Sequence, residues 1–176
     1  TLFRQYMQTY ENIAEDTLLG GHVETFTKTT NSTIQEANSQ RILQLFNDGI
    51  SVIGYFGHSS ATTFEFNLSS PQNYNNPGKY PFFNASGCNA GNYYTFDPSR
   101  VTNGNLSLSE KYVLADHRGS IGFLADTHFG VPPFLDFYNR GLYTAFSRTM
   151  YGNSVGNQIK KVVNDLYSPG IDFLNR

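Results

Sequence analysis

The stretch ISVIGYFGHSS, residues 50–60, opens with a nearly uninterrupted apolar run and ends on a histidine and two serines. An apolar run of this kind, residues 50–56, is typical of a strand that is covered on both faces of a sheet. Two comparable runs follow, YPFFNAS at 80–86 and SIGFLA at 120–125. Helical segments and apolar strands alternate from residue 33 onward, and this alternation predicts an α/β fold with a mostly parallel sheet and helices on both faces.

Elsewhere, the spacing of the apolar residues and the positions of Gly, Pro, Ser and Asn indicate where the other elements lie. Helices are expected at 1–19, 31–49, 107–119, 132–150 and 154–167, a further strand at 22–30, and loops at 67–79 and 87–107. The further strand is expected because its segment alternates β-branched residues with larger ones.

Composition limits the class of protein. The chain has 176 residues, of which 39% are apolar and 15% are charged, and one domain is the simplest organisation for this length. The formal net charge of −2 offers no basic surface for nucleic acid, and no apolar run is long enough to span a membrane. Low charge with many Asn, Ser and Thr residues favours a secreted or cell-envelope protein. Because the chain starts at Thr1 rather than Met, we expect a fragment of a longer protein.

Polar and reactive side chains follow all three apolar strands. His58 comes two residues after the first strand, and Cys88, the single cysteine, comes two residues after the second. Residues 126–128 directly follow the third strand; they are Asp126, Thr127 and His128. The carboxyl ends of parallel strands meet at one edge of a sheet, which is where ligands bind in such folds. We therefore expect these side chains to share that edge.

A cysteine and a histidine at one edge suit nucleophilic catalysis. An imidazole can take the proton of a thiol, and it can later protonate a leaving amine. Backbone N–H groups that follow the strands can stabilise a developing oxyanion. The alternative stays open at this point, because a free cysteine is commonly a buried small hydrophobe and a histidine after a strand is commonly a loop residue.

The histidines do not form a metal site by spacing. His22, His117 and His128 have no pairing at ligand distance on one helix, and no second cysteine is present. We therefore expect neither zinc nor another cofactor. His117 falls in the last turn of the helix expected at 107–119, where a cation suits the helix dipole.

Three segments resemble one known family. RILQLFNDGISVIGYFGHSS, YPFFNASGCNAGNY and LADHRGSIGFLADTHFG are similar to the helix and histidine strand, the nucleophile strand and the pocket strand of gingipain catalytic domains. Gingipains form peptidase family C25, within the clan of caspase-like cysteine peptidases. The forms GHSSATTFEF and SGCNAGN are most similar to gingipain-type proteins of type IX secretion systems, including the sortase-like members. The resemblance covers about residues 40–135, with 30 residues from His58 to Cys88.

The resemblance implies a caspase-like three-layer α/β/α sandwich and a set of catalytic roles. His58 would be the general base and acid, and Cys88 would be the nucleophile. The oxyanion hole would use the backbone N–H groups of Ser59 and Cys88, although the family usually has Gly where this chain has Ser59. The acidic residue that orients the histidine in gingipains would precede Thr1. Three alternatives stay open: this chain works without it, an upstream region supplies it, or another group such as Glu24 stands in.

The resemblance also implies that the segment after the third strand walls the substrate cleft. Asp126, Thr127 and His128 would then contact the substrate, with Asp126 placed to receive a basic P1 side chain. Asp126 has two local alternatives, since it could cap the helix that begins near Pro132 or bond the backbone of its own turn.

These observations predict a single gingipain-type catalytic domain over residues 1–176. Its function would be that of a cysteine peptidase or a transpeptidase, with an acyl-enzyme formed on Cys88. The alternative is a non-catalytic member that keeps the fold as a scaffold or interaction module. The expected partners are a protein or peptide substrate and an upstream subdomain outside this chain, and the expected location is extracytoplasmic.

Overall fold

The structure is a computed structural model that describes residues 2–28, 36–94 and 99–166, without the side chains of residues 36, 37, 100 and 101. It divides into two compact units. One unit, here called the helical unit, combines Thr1–Thr27 with Val131–Arg176, and the other, here called the sheet unit, is Lys28–Gly130. The candidate site residues lie in the sheet unit, except Glu24, which belongs to the helical unit.

The elements follow in chain order. They are α1 (Leu2–Ala14), α2 (Glu36–Asp48), β1 (Val52–Phe56), a 3₁₀ turn (Pro71–Asn73), β2 (Phe82–Ser86), α3 (Arg100–Asn103), α4 (Leu108–Val113), β3 (Gly122–Ala125), α5 (Pro132–Thr144), a π-helical turn (Ala145–Thr149) and α6 (Val155–Leu166). Within the described residues, no helix is both long and apolar enough to cross a membrane.

The three strands form one parallel sheet in the order β1-β2-β3. At its end β1 pairs Phe56 with Ser86, and β2 pairs Ala85 with Ala125. The strands therefore finish at nearly the same level, and the three loops that follow them leave from one edge. This confirms the prediction that the three apolar runs are adjacent, parallel strands.

The core of the sheet unit lies on one face of this sheet. Alternate residues of the strands, such as Tyr55 and Phe83, point to that face, where Phe46 of α2 and Tyr112 of α4 cover them. The Phe83 ring meets the Tyr112 ring edge-on, with centroids 4.9 Å apart, and the Phe46 ring stacks on Tyr74 at 3.7 Å. The largest side chains of this core are aromatic, and aromatic side chains bury a large apolar area each.

The prediction that the first strand is covered on both faces is only partly correct. Tyr55 is buried, but Val52 is 41% exposed, and Gly54 is exposed as well. Among the described strands β1 pairs only with β2, so it lies at one end of their order. A glycine and an edge position explain why an apolar sequence is not a fully buried strand here.

Two helices are shorter than predicted. α1 ends at Ala14 instead of continuing to residue 19, because the Asp16 carboxylate accepts the Leu18 N–H at 3.0 Å and begins a turn. α4 starts as expected with a capping box between Ser107 and Glu110, but it ends at Val113.

His117 consequently lies outside any helix. The Ser120 N–H donates to the carbonyl of Tyr112 at 3.0 Å, so the chain turns back directly after α4. His117 has φ 54° and Gly119 has φ 87° within this turn. The interpretation of His117 as a cation in the last helical turn is therefore wrong.

The strand predicted at 22–30 is absent from its described part, residues 22–28; residues 29 and 30 lie outside the description. Carboxylates of the preceding helical region bind this segment instead. Glu15 accepts the Val23 N–H at 3.1 Å, and Glu11 accepts the Thr25 hydroxyl at 2.7 Å. Side chains thus replace the ladder of backbone hydrogen bonds that a strand would need.

The remaining elements agree with the sequence. α2 begins at Glu36, and the part of the predicted helix at 31–35 lies outside the description. The segment 67–79 is a loop with one 3₁₀ turn, and 87–107 is irregular apart from α3 over its described part. In the helical unit, α1 and α5 are joined by the Tyr10 hydroxyl, which donates to the buried Asp136 carboxylate at 2.8 Å.

Candidate active site

Two loops that follow adjacent strands carry His58 and Cys88. Because Phe56 pairs with Ser86, the two residues stand at equivalent positions beyond β1 and β2. The Gly57 N–H donates to the carbonyl of Ser86 at 3.1 Å, which extends the contact between the strands by one residue. The His58 side chain is exposed and Cys88 is half-buried.

The loop after β3 meets the nucleophile loop from the other side. The Asn89 N–H donates to the carbonyl of His128 at 2.8 Å, and the Gly91 N–H donates to the carbonyl of Asp126 at 2.9 Å. Backbone hydrogen bonds therefore join the loops that follow the strands, and these loops share one edge of the sheet, as expected.

Cys88 lies at the start of a tight turn. Asn89, which follows it, has φ 58° in the left-handed region, a conformation that Asn tolerates better than most residues. The Asn92 N–H then donates to the carbonyl of Asn89 at 2.9 Å. The turn reverses the chain directly after the cysteine, so that the thiol stands at the strand end without being fully buried, unlike an inert core cysteine.

Gly87 is required by the closeness of the two loops. A Cβ atom at this position would lie 2.9 Å from the carbonyl oxygen of Gly57, and it would overlap the hydroxyl of Ser59. Both neighbours belong to the loop that carries His58. Glycine therefore lets the His58 loop pass close to the residue that precedes the nucleophile.

Ser59 connects the two loops through its side chain. Its hydroxyl donates to the carbonyl oxygen of Cys88 at 2.8 Å. Among the described residues, the backbone N–H groups of Ser59 and Cys88 themselves donate to no acceptor. The resemblance assigns these two groups to an oxyanion hole, and each can donate a hydrogen bond to a ligand oxygen.

Tyr55 supports the His58 loop from the core. Its hydroxyl donates to the carbonyl of His58 and accepts the Glu65 N–H, the latter at 3.3 Å. Burial is the main reason that the pKa of Tyr55 is raised, so the hydroxyl stays protonated as a donor. The sequence alone indicated only an apolar strand residue here; the polar end of a buried tyrosine was the signal that a partner must exist.

Asp126 contacts the residue before the nucleophile. Burial raises the pKa of its carboxyl group from 3.8 to about 6, while a hydrogen bond from the Gly87 N–H acts in the opposite direction. Its Oδ2 atom is buried and accepts no hydrogen bond from the residues described. The helix near Pro132 has Val131 as its N-cap with no side-chain cap, and the carboxyl group bonds across to the second loop. Neither local alternative for Asp126 is therefore observed.

Thr127 and His128 are exposed at the same edge. The Nδ1 atom of His128 accepts the Phe129 N–H at 2.8 Å, and the two rings meet edge-on with centroids 4.8 Å apart. The His128 side chain thus bonds its own loop. In the part of the chain that the structure describes, no group of three or more His, Cys, Asp and Glu side chains is arranged to hold a metal ion.

The chain is similar in structure to solved gingipains. The Arg-specific cysteine proteinase gingipain R (RgpB) matches with a TM-score of 0.66 and 16% identity, over 94% of this chain and 38% of the gingipain chain. The complex of the RgpB pro- and mature domains from Porphyromonas gingivalis matches with a TM-score of 0.57 and 18% identity, over 77% of this chain and 34% of that chain. A search of curated proteins finds no match.

The structural matches confirm the expected caspase-like α/β fold as a gingipain-like one. This chain spans less than two fifths of the solved chains that it resembles. The model of peptidase family C25 matches residues 1–175, almost the whole chain. On these grounds, the chain belongs to peptidase family C25.

Proposed function

We propose that this chain carries the histidine and the nucleophile of a cysteine peptidase, which cleaves peptide bonds through an acyl-enzyme on Cys88. The observation that carries the proposal is the contact between the two loops. His58 and Cys88 follow neighbouring parallel strands at equivalent positions, and the Ser59 hydroxyl joins their loops at 2.8 Å. Membership of peptidase family C25 supports the same chemistry.

In the proposed reaction, the His58 imidazole accepts the proton of the Cys88 thiol. The thiolate attacks the carbonyl carbon of the scissile peptide bond, and the carbonyl oxygen becomes an oxyanion. The N–H groups of Ser59 and Cys88 donate to that oxygen. His58 then gives its proton to the leaving amine, and the thioester on Cys88 is resolved by water in a peptidase or by an incoming amine in a transpeptidase.

The substrate wall is proposed to be the loop after β3, with Asp126, Thr127 and His128. An ionised Asp126 would pair with a basic P1 side chain through Oδ2, the carboxylate oxygen that is buried without a partner among the described residues. Gingipain R, to which the chain is similar in fold, is described as Arg-specific. Thr127 and His128 are exposed beside it and would contact the neighbouring substrate residues.

We propose that a longer protein supplies an upstream subdomain and the acidic residue that orients the histidine. The gingipain structures that the chain resembles are more than twice its length, and one of them contains a pro-domain. An upstream subdomain would thus contact this chain and supply the acidic residue that orients His58. The low charge and the resemblance to type IX secretion proteins, including the sortase-like members, favour an extracytoplasmic protein of that system.

A trapping experiment tests this function. Peptidyl acyloxymethyl ketones with Arg, Leu or Ala at P1 should alkylate Cys88, because these weak electrophiles react only with an activated thiol beside which their peptide part is bound. Intact-mass analysis should show one adduct on the wild-type chain and none on Cys88→Ala or His58→Ala.

Asp126→Asn is the matched variant for specificity. It removes the charge but can still accept the Gly87 N–H, so it should lose only the preference for Arg over Leu. If none of the three reagents modifies the wild-type chain, with or without an upstream region, the alternative of a non-catalytic scaffold with an inert Cys88 is favoured.

A further inference from the structure

The peptide group between Cys88 and Asn89 is held from both sides. Its carbonyl oxygen accepts the Ser59 hydroxyl at 2.8 Å, and its N–H donates to the carbonyl of His128 at 2.8 Å. The first contact comes from the loop that carries His58, and the second comes from the loop after β3. Because a peptide group is planar with its C=O and N–H pointing in opposite directions, two such contacts fix its rotation.

Only one of these two contacts depends on a side chain. The contact to His128 is made by backbone atoms and survives any substitution except proline. The contact to the His58 loop requires the hydroxyl of Ser59. Gly87 leaves the space that this hydroxyl occupies, since a Cβ atom at residue 87 would overlap it.

We propose that Ser59 is a positioning residue for the nucleophile, acting through the carbonyl of Cys88. Its hydroxyl binds that carbonyl oxygen, and the hydrogen bond would keep the oxygen from rotating toward the proposed oxyanion. A carbonyl oxygen that faced the oxyanion would oppose the developing negative charge, whereas the two free N–H groups of Ser59 and Cys88 stabilise it. The catalytic part of this inference rests on the proposed peptidase function.

The first test does not depend on activity. Amide hydrogen exchange in peptides that cover residues 87–91 should be faster in Ser59→Ala than in the wild-type chain, by roughly tenfold at Asn89, because one hydrogen bond that restrains the turn is lost. Ser59→Thr retains the hydroxyl and should exchange like the wild type. Ser60→Ala is the matched control, since the Ser60 hydroxyl accepts N–H groups of its own turn, from Thr62 at 3.2 Å and Thr63 at 3.1 Å.

The second test separates positioning from binding. Ser59→Ala should lower kcat roughly tenfold and leave KM within about twofold, since the contact acts on the transition state and not on substrate binding. Ser59→Thr should restore kcat, and Ser60→Ala should leave both constants unchanged.

The outcomes distinguish this inference from the proposed function. The positioning role is overturned if Ser59→Ala exchanges its amide hydrogens as slowly as the wild type, or if Ser60→Ala exchanges them as fast as Ser59→Ala. It is also overturned if an active Ser59→Ala variant has an unchanged kcat. Fast exchange in Ser59→Ala, restored in Ser59→Thr, upholds the contact even if the wild-type chain cleaves no peptide. In that last case it is the proposed peptidase function that fails.

Discussion

At the scale of single residues, the site depends on how closely three loops approach one another. Gly87 admits the His58 loop, Ser59 bonds the carbonyl of Cys88, and Asp126 accepts the Gly87 N–H. Each contact joins residues that are far apart in sequence, and each acts on the nucleophile turn rather than on the substrate. Small polar side chains thus determine the geometry around the only cysteine of the chain.

Asp126 should make stability depend on pH. Its pKa is raised from 3.8 to about 6 in the folded chain, so the folded state holds its proton where the unfolded state has lost it. The free energy of unfolding is therefore unaffected by Asp126 below about pH 4. It falls as the pH rises toward 6, by at most about 3 kcal/mol for two pKa units. Asp126→Asn removes this penalty and can still accept the Gly87 N–H.

Thermal or urea unfolding at pH 4, 6 and 8 provides the measurement. The advantage of Asp126→Asn over the wild type should grow between pH 4 and pH 7 and then stay constant. Asp116→Asn is the control, because the Asp116 side chain is 92% exposed and its loss should leave the pH profile unchanged. An Asp126→Asn advantage that is the same at all three pH values would contradict the buried, protonated carboxyl group.

At the scale of elements, the sequence predicts those features that depend on local pattern. Three apolar runs predict the strands, and the Ser107–Glu110 spacing predicts the capping box at the start of α4. The pattern fails at 22–28, where carboxylates from Glu11 and Glu15 replace a neighbouring strand. It also fails to predict the end of α4, because the turn at Gly119 depends on a return to the Tyr112 carbonyl.

The candidate site divides in the same way. His58 and Cys88 follow from strand order, since parallel strands place both loops at one edge. The contacts of Ser59, Tyr55 and Asp126 could not be predicted, because each depends on a distance between loops set by packing. For Asp126, a hydrogen bond within its own loop or to the next helix was the simpler expectation. In the structure the carboxyl group instead accepts the Gly87 N–H, which packing brings close to it.

The central strand should carry much of the stability of the sheet unit. Phe83 is fully buried and contacts the rings of Tyr112 and Phe123 at 4.9 and 4.8 Å. Phe83→Ala should therefore destabilise the chain by about 3–5 kcal/mol, through lost apolar burial and the cavity that remains.

The neighbouring Phe82 is the matched control, because it points to the opposite face and is only half-buried. Urea unfolding followed by circular dichroism measures both variants. A loss for Phe82→Ala equal to that for Phe83→Ala would show that the core does not lie on the face described.

At the scale of the whole molecule, the chain corresponds to only a part of the solved gingipain chains that it resembles. It matches the family model over residues 1–175, yet it spans only 38% of the gingipain R chain that it resembles. The proposed nucleophile, base, oxyanion donors and substrate wall all lie within Lys28–Gly130. Whether His58 activates the thiol can therefore be measured on this chain itself, before any substrate is known.

The most direct measurement is the rate at which iodoacetamide alkylates Cys88 between pH 5 and pH 9. A thiol with the ordinary pKa of about 8.5 is only about 1% ionised at pH 6.5, so an imidazole that holds its proton should raise the rate there by roughly tenfold or more. The account predicts that His58→Ala loses this increase, while His128→Ala, which removes an exposed histidine from the neighbouring loop, retains it. Equal rates for the wild type and His58→Ala across the whole pH range would contradict the proposed pairing of His58 with Cys88.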